Sequence, residues 1–231
     1  MHPPTLDAKV DQVRKLLEEA RKLAPAVFAS SFGAEDMVLF DLIARDFREI
    51  EIVTLDTGRL PPETYDLIQQ ATAAYRCKVR IYSPQHEAVE SFVRVNGING
   101  FYDSISQRKG CCEVRKLEPL KRALAGKRAW ITGLRRDQAV TRQQLDEVVF
   151  DETQGAYKFS PLAEWTGEDV WSYIRSRNVP YNALHDRGYP SIGCAPCTRA
   201  VAAGEDVRAG RWWWESSVGK ECGLHPQGVK A

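Results

Sequence analysis

Four of the six cysteines in this 231-residue sequence stand in two pairs. Cys111 and Cys112 are adjacent, and Cys194 and Cys197 form a Cys-x-x-Cys pair. Thiolates grouped in this way are typical ligands of zinc or of an iron–sulfur cluster. Adjacent residues on a helix project about 100° apart, which makes a tight chelate around one tetrahedral ion. The irons of a cubane cluster occupy separate corners, so the tandem pair favours a cluster and leaves zinc as the alternative.

Two cations follow the tandem pair at a regular interval. Arg115 and Lys116 stand four residues after Cys111 and Cys112, respectively. Residues four apart share one face of a helix, so we expect both cations on the side where the thiolates converge. Four thiolates on an iron–sulfur core leave a net negative charge, which nearby cations stabilise. The alternative is a pair of ordinary surface cations.

A further cysteine, Cys222, stands near the C-terminus in the run KECGLH. A cysteine is nucleophilic as its thiolate; Lys220 and His225 favour that form, whereas Glu221 opposes it. Taken alone, a cysteine in such a tail is more often a free surface thiol. Cys77 stands beside a predicted strand and is interpreted as a structural thiol.

Small and basic residues follow the ends of three predicted strands. Ser31 and Gly33 lie in SSFGAED, Thr57 in LDTGRL, and Gly133 at the start of GLRRDQ. Small residues let backbone N–H groups approach a phosphate, and a helix N-terminus attracts its charge. The arginines after the third strand, with Arg142, add planar donors for phosphate or sulfate oxygens. Each loop alone is equally compatible with a plain turn or a solvated basic loop.

The elements that must position these residues alternate between strands and helices. Short β-branched or apolar runs predict strands, and amphipathic runs between them predict helices. The predicted strands are 26–30, 51–55, 78–82, 128–132, 147–150 and 157–159, and the predicted helices are 6–23, 37–44, 61–75, 86–95, 111–125 and 167–176. This alternation predicts an α/β fold with a parallel twisted sheet and helices on both faces. In such sheets ligands bind at the carboxyl ends of the strands.

Composition narrows the class of protein further. The chain is 43% hydrophobic and 27% charged with a net charge of +1, which is typical of a globular protein without general affinity for nucleic acid or membranes. The sequence shows neither a signal peptide nor an apolar run of transmembrane length. We therefore expect a cytoplasmic protein, in which cysteines more often bind metal or catalyse than form disulfides. Residues 1–204 are predicted to form one α/β domain, and residues 205–231 a mobile C-terminal tail.

Several runs together carry a family resemblance. SSFGAED, LDTGRLPPETY, GLRRDQAVTR and PLAEWTGEDVWSYI resemble the PP-loop superfamily, whose fold is adenine nucleotide α-hydrolase-like. With KGCCEVRKLEPL, GCAPCTRA and KECGLH added, the chain resembles the assimilatory adenylyl-sulfate reductases of the phosphoadenylyl-sulfate reductase family. Phe32 before Gly33 departs from the more usual Ser-Gly-Gly pattern of the loop.

The resemblance implies a role for each motif. The two cysteine pairs would ligate a 4Fe–4S cluster, Lys116 would link that cluster to the substrate region, and Cys222 would be the catalytic nucleophile. The implied cationic and catalytic partners of Cys222 are Lys116, Arg208, Arg211 and His225. The implied substrate-binding residues are Ser31, Gly33, Asp36, Leu55, Thr57, Gly133 and Arg142.

The implied enzyme is an oxidoreductase of sulfate assimilation and cysteine biosynthesis. It would reduce adenosine 5′-phosphosulfate to sulfite and AMP through an S-sulfocysteine on Cys222, which thioredoxin or glutaredoxin resolves. The family also implies a homo-oligomer. Three alternatives stay open: use of the 3′-phosphorylated substrate, an ATP-dependent PP-loop sulfurtransferase, and a non-catalytic metal-binding or redox-sensing module.

Overall fold

The computed structural model describes residues 4–138 and 142–215. Contacts divide the chain into two compact units, each built from several segments. The first unit takes its described residues from Met1–Thr54, Pro62–Arg80 and Leu124–Arg187, and the second from Leu55–Pro61, Ile81–Ala123 and Gly188–Ala231. The division at residue 205 stays a prediction, because most of the tail lies outside the described residues.

Six strands form one sheet in the order β3-β2-β1-β4-β6-β5. Their bounds are β1 Ala26–Ser30, β2 Glu51–Leu55, β3 Val79–Tyr82, β4 Ala129–Ile131, β5 Val148–Asp151 and β6 Ala156–Phe159. β1 pairs in parallel with β2 and β4, and β4 in parallel with β6. β5 pairs antiparallel with β6 and forms the edge. The predicted α/β class with a mainly parallel sheet is confirmed, and the β5–β6 hairpin adds an antiparallel edge.

The described residues contain seven α-helices. Their bounds are α1 Leu6–Lys22, α2 Ala34–Asp46, α3 Pro62–Tyr75, α4 His86–Asn96, α5 Ile105–Cys112, α6 Glu118–Leu124 and α7 Gly167–Ser176. The prediction of one helix over 111–125 was wrong, because α5 begins earlier and a π-helical turn, Glu113–Leu117, separates it from α6. The early start follows from Ser104, whose hydroxyl accepts the N–H of Gln107 at the N-cap.

The main core lies where α1, α2 and α7 pack on one face of the sheet. The amphipathic face predicted for α1 is buried, with Val10, Val13, Leu16, Leu17 and Ala20 inside. The neighbouring strands β1, β4 and β6 add buried residues at paired positions, namely Phe28, Ile131 and Phe159. The N-cap of α7 is Thr166, which forms a full capping box with Asp169.

One buried carboxylate ties three helices of the first unit together. Asp41 of α2 accepts hydrogen bonds from the hydroxyls of Tyr75 in α3 and Tyr173 in α7, at 2.6 and 2.7 Å. Arg45 donates to the same carboxylate at 2.7 Å. Burial, followed by the hydrogen bond to Asp41, raises the pKa of both tyrosines. Among the described helices, none combines the length and the apolar character needed to cross a bilayer.

Candidate active site

A carboxylate in the first turn of α2 holds the loop that follows β1. Asp36 accepts the backbone N–H of Ser31 at 2.5 Å and its hydroxyl at 2.7 Å. Between Ser31 and the helix, Phe32 adopts a left-handed φ of 59°. Its ring is only 1% exposed and lies 5.6 Å from the ring of Phe40. The departure from the usual glycine at this position therefore has a packing reason, because the phenyl ring anchors the loop in the core.

The same carboxylate also reaches the loop after β4. The backbone N–H of Gly133 donates to Asp36. A Cβ at Gly133 would lie 2.2 Å from Asp36 Oδ1, so this approach excludes any side chain there. Burial raises the pKa of Asp36 to about 6, against the lowering effect of the Ser31 hydrogen bonds. Asp36 thus joins two of the predicted substrate loops, and its direct contact with a nucleotide stays a prediction.

The arginines after β4 are held by other side chains. Arg135 is buried and donates through Nε and one terminal nitrogen to Glu35, at 3.0 and 2.9 Å. Arg142 donates to the amide oxygen of Gln138. The residues between Gln138 and Arg142 lie outside the described part of the chain. Arg135 is therefore a structural tie to the first turn of α2, and anion binding by Arg142 stays a prediction.

In the second unit, both cysteine pairs line one cavity. Cys112 and Cys194 are buried there, and Cys111 and Cys197 are partly buried. All the charged side chains among the described residues of the lining are cationic: Arg59, Arg108, Arg115, Lys116 and Arg211. Four thiols surrounded by cations form a soft donor set with compensation for thiolate charge.

The tandem cysteines end α5, directly before the π-helical turn. π-helical turns are rare and frequently mark functional sites. Arg115, within this turn, hydrogen bonds to Cys111 and donates to the carbonyl of Thr57 at 2.7 Å. The charge of Lys116 acts on the thiols of the Cys-x-x-Cys pair. Both cations therefore face thiols, as the four-residue spacing predicts, although the backbone between them is not α-helical.

The Cys-x-x-Cys pair is held by the loop after β2. The Thr57 hydroxyl lies 3.3 Å from the Cys194 sulfur, within hydrogen-bonding distance. The N–H of Ala195 donates to the carbonyl of Arg59 at 2.8 Å. On the other side, the N–H of Trp212 donates to the carbonyl of Cys197 at 3.1 Å. The described contacts thus place Thr57 at the cysteine cavity; Leu55 is the last residue of β2, and contact of either with a nucleotide stays a prediction.

The pKa values of the cavity thiols shift in different directions. Burial raises the pKa of Cys111, and burial together with Cys194 raises the pKa of Cys197 to about 12. Burial also opposes ionisation of Cys194, but Lys116 and the Thr57 hydroxyl outweigh it and lower the Cys194 pKa. The surroundings therefore disfavour the thiolate form of Cys111 and Cys197 and favour that of Cys194. A bound metal would favour the thiolate form, because that is the form it binds.

The choice between zinc and an iron–sulfur cluster at these cysteines stays a prediction. Within residues 4–138 and 142–215, no three histidine, cysteine, aspartate or glutamate side chains stand close enough to hold one metal ion. A structural zinc ion takes four ligands at about 2.0–2.3 Å from one centre. In an iron–sulfur cluster each thiolate binds its own iron, so the sulfur atoms stand further apart.

The predicted site residues not yet placed are Arg208, Arg211, Cys222 and His225. Arg211 is buried at the cavity, with its guanidinium 4.8 Å from the centre of the Trp212 ring. A Cβ at Gly193 would lie 2.2 Å from an Arg211 nitrogen, so glycine makes room for this side chain. Arg208 is described but does not line the cavity. Cys222 and His225 lie outside the described residues.

Sequence reasoning missed two cations of the cavity, Arg59 and Arg108. Arg108 stands four residues before Cys112. Residues four apart share a helix face on either side of a cysteine, so the spacing argument that located Lys116 also applies to Arg108. Arg59 had no such signal, because it lies more than fifty residues from the nearest cavity cysteine in the sequence. Its guanidinium stacks 4.9 Å from the centre of the Phe101 ring.

Comparison with known proteins defines the class and then the family. The profile of the phosphoadenosine phosphosulfate reductase domain matches residues 25–200. An adenosine 5′-phosphosulfate reductase of Allochromatium vinosum is 54% identical over 222 residues, covering 96% of this chain and 86% of that protein. One from Burkholderia cepacia is 51% identical over 223 residues, covering 96% and 89%. The chain belongs to the phosphoadenosine phosphosulfate reductase family, and the predicted family is confirmed.

Solved structures agree with this fold. The crystal structure of phosphoadenylyl-sulfate reductase from Candida auris, a phosphate complex, is similar with a TM-score of 0.68 and 28% identity. The similarity covers 87% of this chain and 99% of that one. An FMN adenylyltransferase of Candida glabrata, at 15% identity and a TM-score of 0.51 over 93% of this chain and 77% of its own, shares the fold alone.

Proposed function

We propose that this protein reduces adenosine 5′-phosphosulfate to sulfite and AMP as an enzyme of sulfate assimilation. The observation that carries the proposal is the convergence of two cysteine pairs on one cation-lined cavity. Relatives that are 51–54% identical over almost the whole chain bear the name adenosine 5′-phosphosulfate reductase.

The cofactor that best fits the cavity is a 4Fe–4S cluster held by Cys111, Cys112, Cys194 and Cys197. The donors are all thiols, and the adjacent pair Cys111 and Cys112 suits two separate irons better than one tetrahedral ion. When bound, the cluster supplies the positive iron centres that keep all four thiolates ionised and a charged group beside Lys116. The Thr57 hydroxyl and the Arg115 guanidinium stabilise thiolates from the protein side.

The first half-reaction forms a covalent intermediate. The thiolate of Cys222 attacks the sulfur of the phosphosulfate, the bond from that sulfur to the bridging oxygen breaks, and AMP leaves with the electron pair. The product is an S-sulfocysteine on Cys222. Nucleophile and target are both anionic, so cations must lower the barrier. We assign this task to Lys116 and Arg211 at the cavity, and to Arg208 and His225 from the C-terminal segment.

The second half-reaction releases sulfite. One thiolate of a dithiol protein attacks the Cys222 sulfur, sulfite departs with the electron pair, and a mixed disulfide forms. The second thiol of the partner then displaces Cys222 and leaves the partner oxidised as a disulfide. Thioredoxin or glutaredoxin is the reductant of matching chemistry, and the enzyme is proposed to act as a cytoplasmic homo-oligomer.

Nucleotide binding is assigned to the loops that Asp36 joins. Ser31 and Gly33 precede the N-terminus of α2, where backbone N–H groups and the helix dipole attract anions. Gly133 follows β4, and its lack of a side chain lets this loop pack directly against the Asp36 carboxylate. Arg142 is the cation we assign to the same ligand.

Mass spectrometry tests the first half-reaction directly. The full chain, purified without oxygen and mixed with adenosine 5′-phosphosulfate in the absence of any reductant, should gain one sulfonate group on Cys222. Cys222→Ser should abolish both the adduct and sulfite release, whereas Cys77→Ser should retain both. Sulfite production by Cys222→Ser, or a sulfonate on another residue, would contradict the mechanism. Iron and sulfide analysis of the same sample tests the cluster, and zinc at the cysteines would disprove it.

A second candidate substrate is the 3′-phosphorylated nucleotide. The family profile and the Candida auris structure both carry the name of that substrate. Comparing kcat/KM for sulfite release from the two nucleotides decides between them. We expect the nucleotide without the 3′-phosphate to be preferred, in line with the names of the relatives of highest identity quoted above.

A further inference from the structure

The most deeply buried ion pair of the described residues lies beside the cysteine cavity. Arg108 of α5 donates through Nε and a terminal nitrogen to the two carboxylate oxygens of Glu215, at 2.8 and 2.9 Å. The side chains are 0% and 6% exposed, respectively. Such a parallel two-bond geometry fixes orientation as well as distance. Removing one partner would leave the other charge buried without compensation.

Arg108 connects this pair to the tandem cysteines. It also hydrogen bonds to Cys112, which stands one helical turn further along α5. Its guanidinium lies 4.6 Å from the centre of the Trp212 ring, and that ring is itself buried. The side chain of Arg108 thus contacts Cys112, the Trp212 ring and the Glu215 carboxylate.

Glu215 is the last residue that the structure describes before the segment carrying Cys222. Six residues separate Glu215 from Cys222. Because an extended chain spans at most about 3.6 Å per residue, the Cα of Cys222 lies within about 25 Å of the Cα of Glu215. The ion pair therefore holds the residue from which that segment continues.

We propose that Arg108 is a positioning residue, which anchors Trp212 and Glu215 to the tandem-cysteine helix and thereby places the segment that carries Cys222. This inference rests on the proposed function for its catalytic consequence, but the anchor itself does not. It assigns to Arg108 and Glu215 a positioning role and not a catalytic one.

Two variants of the full chain test the anchor, Glu215→Gln and Arg108→Lys. Glu215→Gln keeps the shape of the side chain but loses the charge, and Arg108→Lys keeps the charge but loses the paired donors. We expect chymotrypsin to cleave after Trp212 about tenfold faster in both variants, because cleavage requires release of a buried residue. Cleavage at sites in the first unit should keep its wild-type rate.

The catalytic consequence has its own measurement. In single-turnover experiments with adenosine 5′-phosphosulfate, both variants should form the Cys222 sulfonate about tenfold more slowly, with iron content and AMP affinity within about twofold of wild type. The double variant should be no slower than the worse single variant, because both remove the same contact. The matched control is Glu205→Gln, which breaks the exposed pair with Arg199 in the same unit.

Each outcome decides the proposal. Unchanged cleavage after Trp212 in Glu215→Gln would overturn the anchor, and an unchanged sulfonation rate would overturn its positioning role. A loss of iron equal to the loss of rate would show a merely structural contribution to the cavity, and would also overturn positioning. If wild-type protein forms no adduct on Cys222, the proposed function fails, and the proteolysis result then decides the anchor by itself.

Discussion

At the scale of single residues, the two cations Arg115 and Lys116 look equivalent in the sequence but have different surroundings in the cysteine cavity. Arg115 is buried, and it divides its donors between Cys111 and the carbonyl of Thr57. Lys116 is partly exposed, and its charge acts on the Cys-x-x-Cys thiols. Arg115 is thus a fixed part of the cavity wall, whereas Lys116 acts on the other cysteine pair through its charge.

A second residue-scale feature, the Asp36 carboxylate, leads to a pH prediction. Its pKa is about 6 in the folded chain against an ordinary value of 3.8. The folded state therefore binds the proton more tightly than the unfolded state, and this contribution to stability is present below pH 3.8 and is lost as the pH rises through about 6. We expect the wild-type free energy of unfolding to include a component, on the order of 3 kcal/mol, that falls between these values.

Asp36→Asn should lack that component, because the amide does not titrate. Urea unfolding of both proteins at half-unit pH intervals measures the difference. The amide also offers only one acceptor where the carboxylate has two, so one loop N–H loses its partner and AMP affinity should fall about tenfold. If the free energies of unfolding of wild type and Asp36→Asn changed with pH in parallel, folding would not raise the pKa of Asp36.

At the scale of elements, the π-helical turn between α5 and α6 sets the geometry of the cavity. Its wider hydrogen-bonding pattern lets Arg115 reach Cys111 and Thr57 while Lys116 projects toward the other pair. In the first unit, helix packing depends on a polar centre. Asp41 accepts donors from α2, α3 and α7, so it fixes how these helices meet.

Asp41→Asn should therefore destabilise the first unit strongly. The variant removes the charge that Arg45 compensates, and it leaves at least one buried donor without its acceptor. We expect a loss of about 2–4 kcal/mol in the free energy of unfolding, measured with urea. Asp46→Asn is the matched control on the same helix, because its exposed pair with Arg14 contributes at most about 1 kcal/mol. Equal losses in the two variants would refute the role of the buried network.

At the scale of the whole molecule, the two compact units hold different parts of the proposed chemistry. The described nucleotide-loop residues other than Leu55 and Thr57 belong to the first unit, and the cysteine cavity belongs to the second. The main hydrophobic cluster lies in the first unit, and the cavity lined by thiols and cations lies in the second. Because metal binding contributes free energy of folding where a site needs it, the second unit should depend on the proposed cluster more than the first.

Removal of iron from the proposed cluster should therefore act selectively. After anaerobic chelation, we expect faster amide hydrogen exchange in α5 and in residues 188–199, with α1 and α2 unchanged. Cys194→Ser should reproduce this pattern without a chelator, and Cys77→Ser should not. An equal rise in exchange in both units, or no change in either, would contradict a cluster that stabilises only the second unit.

The sequence alone determined the alternation of strands and helices, because the side-chain periods of helices and strands are local properties. It also determined the family, because the cysteine spacing and the runs around Gly33, Thr57 and Gly133 are local patterns. Only the tertiary structure decided that Thr57 bonds to Cys194, that Asp36 joins two loops, and that Arg108 pairs with Glu215. These contacts join residues far apart in the chain, and they form where burial makes an unsatisfied polar group costly. Such pairing depends on how the elements pack, which no local pattern specifies.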